Sequence, residues 1–390
     1  MTEQTDAQLR DEVTAWLAAH WSPERKGDKT WLSEVVAARW AVPRWSTDWF
    51  GRELADPQAR IIERAFTEAG APGSGQDRTN LWANTLLAKG TEPLKAQLIG
   101  PLLRGEVGMC LLYSEPGAGS DLAGIRTRAD NQGERYIVNG QKVWTSTAAN
   151  ADYGMLIART DWEVPKHRGI SFFFCPMKQP GVDVRPLRQI TNESFFNEVF
   201  LTDVEVPADN LLGREGEGWG VLQTALAYER SVMGEMARGP RSGVKETTAE
   251  EPLIALAREA GVLADPVLRQ QIAQAIAYKR LNALNTARAK ADLAQGSSSS
   301  IMSLGKLAMS RILHEEARVR TAILGAESLY EGPDHPRAED ANFLTLNAYF
   351  TSIGGGTDQI QRNIIGERVL GLPKEPEVDR DIPFRDVRGG

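Results

Sequence analysis

The hydrophobic period of this chain changes twice, and that double change limits the fold more than any single motif. From Ala7 to about Leu103 apolar residues recur at three- and four-residue spacing. AQLRDEVTAWLAAHW places Leu9, Val13 and Leu17 on one face, and DPQARIIERAFTEAG repeats the period before closing on Gly70. TEPLKAQLIGPLLRGE adds a further helix. Between Gly108 and about Gly213 the runs RYIVNGQKVWTS, GMLIART, GISFFFCP and NEVFLTDVEVP have the length and β-branched or aromatic character of strands. From Gly216 helical spacing returns in GWGVLQTALAYERSVMGEMARG, DPVLRQQIAQAIAYKRLNALNTARAKADLAQ and IMSLGKLAMSRILHEEARVRTAILGAESLY. The last two are long, with wide apolar faces suited to a bundle or a subunit interface. The expected fold class is α+β, with a helical domain at 1–107, a β domain at 108–213, a helical bundle at 214–373 and a charged, extended tail at 374–390.

Local signals refine this layout. Asn139-Gly140 between two alternating runs predicts a tight hairpin. The tryptophan-rich AVPRWSTDWFGRELA, punctuated by Pro and Gly, reads as a packed loop. RGPRSGVKETTAEEP reads as an exposed connection, and GSSSS at 296–300 as a short joint between two helices.

With 390 residues, 42% hydrophobic and 25% charged, the chain can bury a sizeable core in two or three subdomains. No run of about 18 apolar residues is present to span a bilayer. The polar start MTEQTDAQLRDEV lacks a signal-peptide core, so the expectation is a cytoplasmic protein with no membrane association. Cys110 and Cys175 form no CxxC pair, which argues against a disulfide framework or zinc ribbon. His20, His167, His314 and His335 are scattered, which argues against a metal site or a histidine-centred triad. A net charge of −7 argues against general nucleic-acid binding.

The chemistry concentrates in a few stretches. In LLYSEPGAGSDLAGIRT, residues 111–127, a strand ends at about Tyr113, and Glu115 and Pro116 set a turn. Gly117 and Gly119 let backbone N–H groups approach a ligand, with hydroxyls on Ser114, Ser120 and Thr127. Taken alone, such a turn after a strand is more often a plain reversal than the seat of a bound anion or cofactor. Trp144 followed by Thr145 and Ser146 would set an indole beside two hydroxyl donors, as a flat heteroaromatic ring requires; a core tryptophan beside polar turn residues is the other reading. Near the end of the chain, TSIGGGTDQIQRNIIGERVLGLP has three consecutive glycines and no obvious proton acceptor among them.

YSEPGAGSDLAGIRT, NGQKVWTS, the KHRGIS loop at 166–171, VPADNLLGREGEGWGVL and GGGTDQIQRNIIGERVLGLP, in this order, resemble the acyl-CoA dehydrogenase family over nearly the whole chain. The resemblance implies an N-terminal helical domain, a β-barrel-like middle domain and a C-terminal four-helix bundle, with FAD as cofactor. By match to the family's motifs, Tyr113, Ser114, Gly119 and Ser120 border the flavin. Trp144 packs beside it, Ser146 bonds its edge, and Thr357 and Gln359 meet its adenosine or pyrophosphate portion. The partners so implied are an acyl-CoA substrate and an electron-transfer flavoprotein, in a homodimer, homotetramer or α2β2 heterotetramer.

The catalytic base follows from the same resemblance. Medium-chain members carry a glutamate just before a Gly-Thr pair, where this chain has Gly355; the isovaleryl and long-chain branch carries it before an arginine on the first bundle helix, where this chain has Glu229 and Arg230. Glu229 is thus the implied base, Arg230 a substrate contact, and the Gly355 N–H a donor to the enolate oxygen. Read from the residues alone, Glu229 is a solvated helix carboxylate paired with a nearby arginine. The Glu-Arg pair with a glycine-rich C-terminal loop is similar to actinobacterial members acting on sterol side chains and other bulky acyl groups, and Gly354-Gly355-Gly356 would leave volume for such a group. The chain departs from the family in lacking an Arg-x-x-Phe-Gly segment after the first bundle helix, where it reads VKETTAEEPLIALAREAGVLADP. Two other readings keep the fold: a partner-dependent or non-catalytic subunit, and a flavin oxidase or monooxygenase.

Overall fold

A computed structural model describes residues 5–236, 251–295 and 304–387, with the side chains of 230–236, 290, 293 and 294 outside the description. The exposed connection expected around 238–250 and the joint at 296–300 lie outside the described residues. The chain divides into two compact units: one takes its residues from 1–187, 194–239 and 378–390, the other from 188–193 and 240–377.

The first unit begins with six helices: α1 (Asp6–His20), α2 (Trp31–Ala37), α3 (Asp56–Ala69), α4 (Gln76–Thr79), α5 (Leu81–Lys89) and α6 (Glu92–Leu103). Their ends follow from local chemistry. Thr5 caps α1 by accepting from Gln8 N, and the Gln8 side chain accepts from Thr5 N in return. Gly70 ends α3 in the left-handed region at φ 67°. The expected stripe of Leu9, Val13 and Leu17 is buried. Trp45 of the tryptophan-rich loop lies in the same core as Trp31 and Trp40 before it, with Trp49 partly buried against it.

An eight-stranded sheet follows: β1 (Met109–Leu112), β2 (Arg128–Asn131), β3 (Arg135–Ser146), β4 (Tyr153–Arg159), β5 (Ile170–Pro176), β6 (Val182–Leu187), β7 (Phe196–Pro207) and β8 (Leu211–Leu212). The order is β6-β7-β3-β2-β4-β5-β8, with β1 also pairing β4. Its central strands are buried on both faces. In β4, Met155 and Ile157 join the core shared with the helices, whereas Leu156 and Ala158 join a second core on the other face; in β5, Phe172 and Phe174 divide from Phe173 and Cys175 in the same way. That is why these runs read as continuous apolar stretches rather than alternating ones.

The hairpin expected at Asn139-Gly140 is not formed. β3 runs straight through both residues, with a register irregularity against β7 between Val138 and Gly140. Asn139 is spent across the sheet, its Oδ1 accepting from Asp203 N at 2.9 Å. Gly140 is needed for close approach: a Cβ there would lie 2.4 Å from Thr127 Oγ1 and 2.8 Å from Thr127 Cα. The reversal sits earlier, between β2 and β3, where Gly133 takes φ 88° and Gln132 N donates to Arg135 O.

α7 (Gly218–Met236) completes the first unit, packing on α5 and β5 through Val221, Leu222 and Ala225. The end of the chain does not stay extended. Phe384–Asp386 forms one 3-10 turn, and Phe384 is 1% exposed.

The second unit holds α8 (Pro252–Glu259), α9 (Pro266–Ala294), α10 (Leu304–Leu324), α11 (Pro336–Ile353) and α12 (Asp358–Ile364). Leu253, Ala257, Ile272, Ala275, Val319 and Ile323 form its core. No helix among the described residues is long and apolar enough to cross a membrane, and no described cluster of three His, Cys, Asp or Glu could hold a metal ion.

Candidate active site

The turn after β1 is held by its own backbone and by one buried ion pair. Glu115 and Ala118 exchange N–H···O bonds of 3.0 Å each, closing the loop over Pro116 and Gly117. Glu115 points back into the protein, where its carboxylate accepts from Arg126 N at 2.7 Å and Thr127 N at 2.9 Å. Lys142 of β3 donates to Glu115 Oε1 at 2.8 Å and to Tyr113 O at 3.0 Å. Burial pushes the Lys142 ammonium down to about 8, against the pull of Glu115. Burial acts to raise the Glu115 carboxyl, but Lys142 and the donors around it outweigh burial and hold it below its ordinary value. Val143 N also donates to Ser114 O at 2.9 Å. The Tyr113–Ser120 and Lys142–Ser146 segments, far apart in sequence, thus form one surface.

That surface is open where a ligand would need it. Gly117, Gly119 and Ser120 are exposed, and a Cβ at either glycine would meet nothing within 4 Å, so packing among the described residues does not account for these glycines. Trp144 is 56% exposed and adopts φ 62°, a left-handed conformation that costs a side-chain-bearing residue roughly 1–3 kcal/mol. The register irregularity between Lys142 and Thr145 produces this conformation and turns the indole outward, edge-on to Phe196 at 5.9 Å. The same irregularity carries Thr145 inward: it is fully buried, and its hydroxyl has no hydrogen-bond partner among the described residues. Of the two hydroxyls expected beside the indole, that of Ser146 is on a half-buried residue.

Glu229 lies on α7 in line with the buried stripe, four residues beyond Ala225 and seven beyond Leu222, and is half-buried. It acts on Tyr113: the buried phenol is raised well above its ordinary value, chiefly by desolvation and then by the Glu229 charge. Tyr113 is fixed by its hydroxyl on Met155 Sδ at 3.5 Å and its ring against Phe172. A carboxylate and the end of β1 therefore share one region of the first unit. Arg230 follows on the same helix, with its side chain outside the described residues.

The other expected residues belong to the second unit. Gly355 and Gly356 take φ 65° and 90°, so the loop before α12 requires glycine for conformational reasons. Thr357 caps α12, accepting from Ile360 N at 3.2 Å, and Gln359 is exposed. Behind the loop lies a network with no counterpart in the sequence reading. Ser310 donates to Asp358 Oδ2 at 2.8 Å and contacts Ser352 Oγ at 2.8 Å, and His314 Nε2 lies 2.7 Å from Ser352 Oγ. Its one legible trace is the Asp after Thr357, a charge at the first turn of a helix.

Comparison with known proteins identifies the family. Residues 110–204 match the model of the acyl-CoA dehydrogenase middle domain, and residues 216–370 that of the acyl-CoA dehydrogenase C-terminal domain. The acyl-CoA dehydrogenase IpdE1 of Mycobacterium tuberculosis is 33% identical over 89% of this chain and 88% of its own length. The chain belongs to the acyl-CoA dehydrogenase family. This acyl-CoA dehydrogenase homologue is also 35% identical to FadE34 of Mycobacterium tuberculosis over 94% of its own length but 49% of that protein's, so it spans about half of FadE34. Among solved structures, the Tcur3481-Tcur3483 steroid ACAD matches with a TM-score of 0.70 at 25% identity, covering 96% of this chain and 99% of that one. The family is one of oxidoreductases, and the fold is the family's, with helical N-terminal, sheet middle and helical C-terminal parts.

Proposed function

We propose that this acyl-CoA dehydrogenase homologue catalyses FAD-dependent α,β-dehydrogenation of an acyl-CoA thioester to the trans-2-enoyl-CoA, with Glu229 as the base that takes the α-proton. The observation that carries the reading is the position of Glu229, half-buried on the core stripe of α7 and electrostatically coupled to Tyr113 at the head of the glycine turn.

The residues present fit the cofactor. The glycine turn leaves space that no described side chain fills, and the exposed Trp144 indole offers a flat apolar platform. Tyr113, Ser114, Gly119, Ser120, Trp144 and Ser146 would hold the flavin end of FAD, and Thr357 and Gln359 its adenosine or pyrophosphate end. When bound, FAD supplies the acceptor for the β-hydride. The chain's own residues do the rest. Glu229, half-buried on the core stripe of α7, is placed as the carboxylate to accept the α-proton. The Gly355 N–H serves as donor to the enolate oxygen, a role that needs no side chain. Arg230 is the proposed substrate contact on the same helix.

A bulky acyl group is the proposed substrate class, supported by the glycine run at 354–356 and by the steroid ACAD among the similar structures. An electron-transfer flavoprotein is the proposed acceptor, and a homodimer, homotetramer or α2β2 heterotetramer the proposed assembly. The two chain names of the similar steroid ACAD favour a second reading, a subunit that needs a homologous partner for activity. The protein is proposed to work in the cytoplasm.

Anaerobic addition of straight, branched and steroid-like acyl-CoAs to the purified chain tests the proposal. Bleaching of the flavin band at about 450 nm in the wild type, and its loss in Glu229→Gln with acyl-CoA binding retained, is the expected result. Flavin bound but never bleached would point to the partner-dependent reading, and equal bleaching in the variant would remove Glu229 as the base.

A further inference from the structure

The segment near the end of the chain packs on the glycine turn's supports. Phe384 N donates to Val164 O at 2.9 Å, Arg385 N donates to Trp162 O at 3.1 Å, and the Arg385 side chain pairs with Glu163. The Phe384 ring is buried with the Arg159 guanidinium over its face, Cζ lying 3.4 Å from the ring centroid. Trp162 packs beside it at 5.4 Å.

Arg159, at the end of β4, is fully buried, and its hydrogen bonds go to main-chain carbonyls. Nη2 donates to Ala123 O at 2.7 Å, Nε to Ile125 O at 3.1 Å and Nη1 to Lys166 O at 3.0 Å. Its backbone N–H adds a bond to Thr127 O at 2.7 Å. One side chain therefore clamps the 123–127 exit of the glycine turn to the loop at 160–168. The nearly buried Lys166 repeats the connection, its Nζ lying 3.3 Å from Asp121 of the turn and 3.5 Å from Asp379 of the terminal segment. His167 of the same loop packs edge-on to Trp219 in the first turn of α7, the helix that bears Glu229.

A buried guanidinium whose hydrogen bonds go to neutral carbonyls is costly, and an aromatic ring over its open face offsets part of that cost. The Phe384 ring occupies that face. We infer that Phe384 and Arg159 are positioning residues for the candidate active site: the terminal segment at 379–385 closes over the Arg159 guanidinium and so fixes the glycine turn in its ligand-ready form. The inference rests on the proposed FAD site for its functional reading, while its structural core concerns this chain alone.

The test compares Phe384→Leu, which keeps an apolar side chain but removes the ring face, Phe384→Tyr, which keeps the ring, and Arg159→Lys, which leaves the Phe384 seat filled but removes the guanidinium fork. Each full-length variant is measured for FAD affinity, for melting temperature and for amide exchange in peptides covering 113–127 and 160–171. Phe384→Leu and Arg159→Lys are expected to weaken FAD binding by about 10-fold and to speed exchange in both peptides more than in the helical core, with Phe384→Tyr close to wild type. Wild-type affinity and exchange in these peptides, with only a lower melting temperature, would overturn the inference. If Phe384→Leu does not fold, Arg159→Lys decides by the same readouts. If the wild type takes up no FAD, the functional proposal fails, and exchange alone decides the clamp: faster exchange in the two peptides supports it and unchanged exchange overturns it.

Discussion

Lys142 Nζ lies 2.8 Å from Glu115 Oε1 with the lysine fully buried and the glutamate side chain 9% exposed, so the pair is screened from solvent and each charge depends on the other. Removing one partner leaves the second uncompensated, and breaking such a buried pair costs about 3–5 kcal/mol. Lys142→Met and Glu115→Gln are each expected to lose stability on that scale in urea unfolding, and the double variant Lys142→Met/Glu115→Gln to lose less than the sum. Additive losses would show that the two residues act separately.

The pair also fixes a pH dependence. Because burial brings Lys142 down to about 8, the folded protein gives up this proton between about pH 8 and the ordinary lysine range, where the unfolded chain still holds it. More protons on the unfolded state make stability rise with pH, so the stability of the wild type relative to Lys142→Met is expected to increase from pH 8 towards pH 10 and to be flat from this group below pH 8. Urea midpoints measured for both proteins across that range check the sign. A difference that falls over the same interval would mean that Glu115, rather than burial, governs the lysine.

Trp144 offers a separate test, because its backbone pays a cost that its packing does not explain. At φ 62° glycine is unstrained, and Trp144→Gly regains roughly 1–2 kcal/mol of backbone strain while losing an edge-to-face contact with Phe196 of about 0.5–1.5 kcal/mol. The variant is expected to melt within a few degrees of wild type while binding FAD at least several-fold more weakly. A large stability loss with unchanged FAD affinity would make the tryptophan a structural residue.

Much of the fold was legible because period and punctuation agreed. Gly70 ends α3 as its position predicts, and the Leu9, Val13 and Leu17 stripe is buried. The misreadings share a cause, which is that a residue's partner lay far off in sequence. Gly140 carried a turn signal, yet its missing Cβ makes room for Thr127, just ahead of β2. Thr145 was expected beside the indole, but a register irregularity against β7, invisible in one strand's sequence, turns it inward. Lys142 reads as an ordinary polar position in an alternating strand until Glu115, 27 residues earlier, is placed against it. Phe384, a lone aromatic in a charged tail, has no periodicity to announce its burial on Arg159.

The glycine at 355 separates a conformational explanation from a purely volumetric one. Its φ of 65° is one that a side-chain-bearing residue enters at about 1–2 kcal/mol, so the loop before α12 disfavours glutamate whatever space the substrate needs. Introducing Gly355→Glu into the Glu229→Gln background is therefore expected to lower stability by about that amount and to leave acyl-CoA-dependent flavin bleaching absent. Gly355→Ala, with the smallest side chain that meets the same backbone restriction, is expected to share most of the stability loss. Recovery of bleaching in the double variant, with the loop's stability unchanged, would show that this backbone accepts a base at either position and that its glycines serve substrate volume alone.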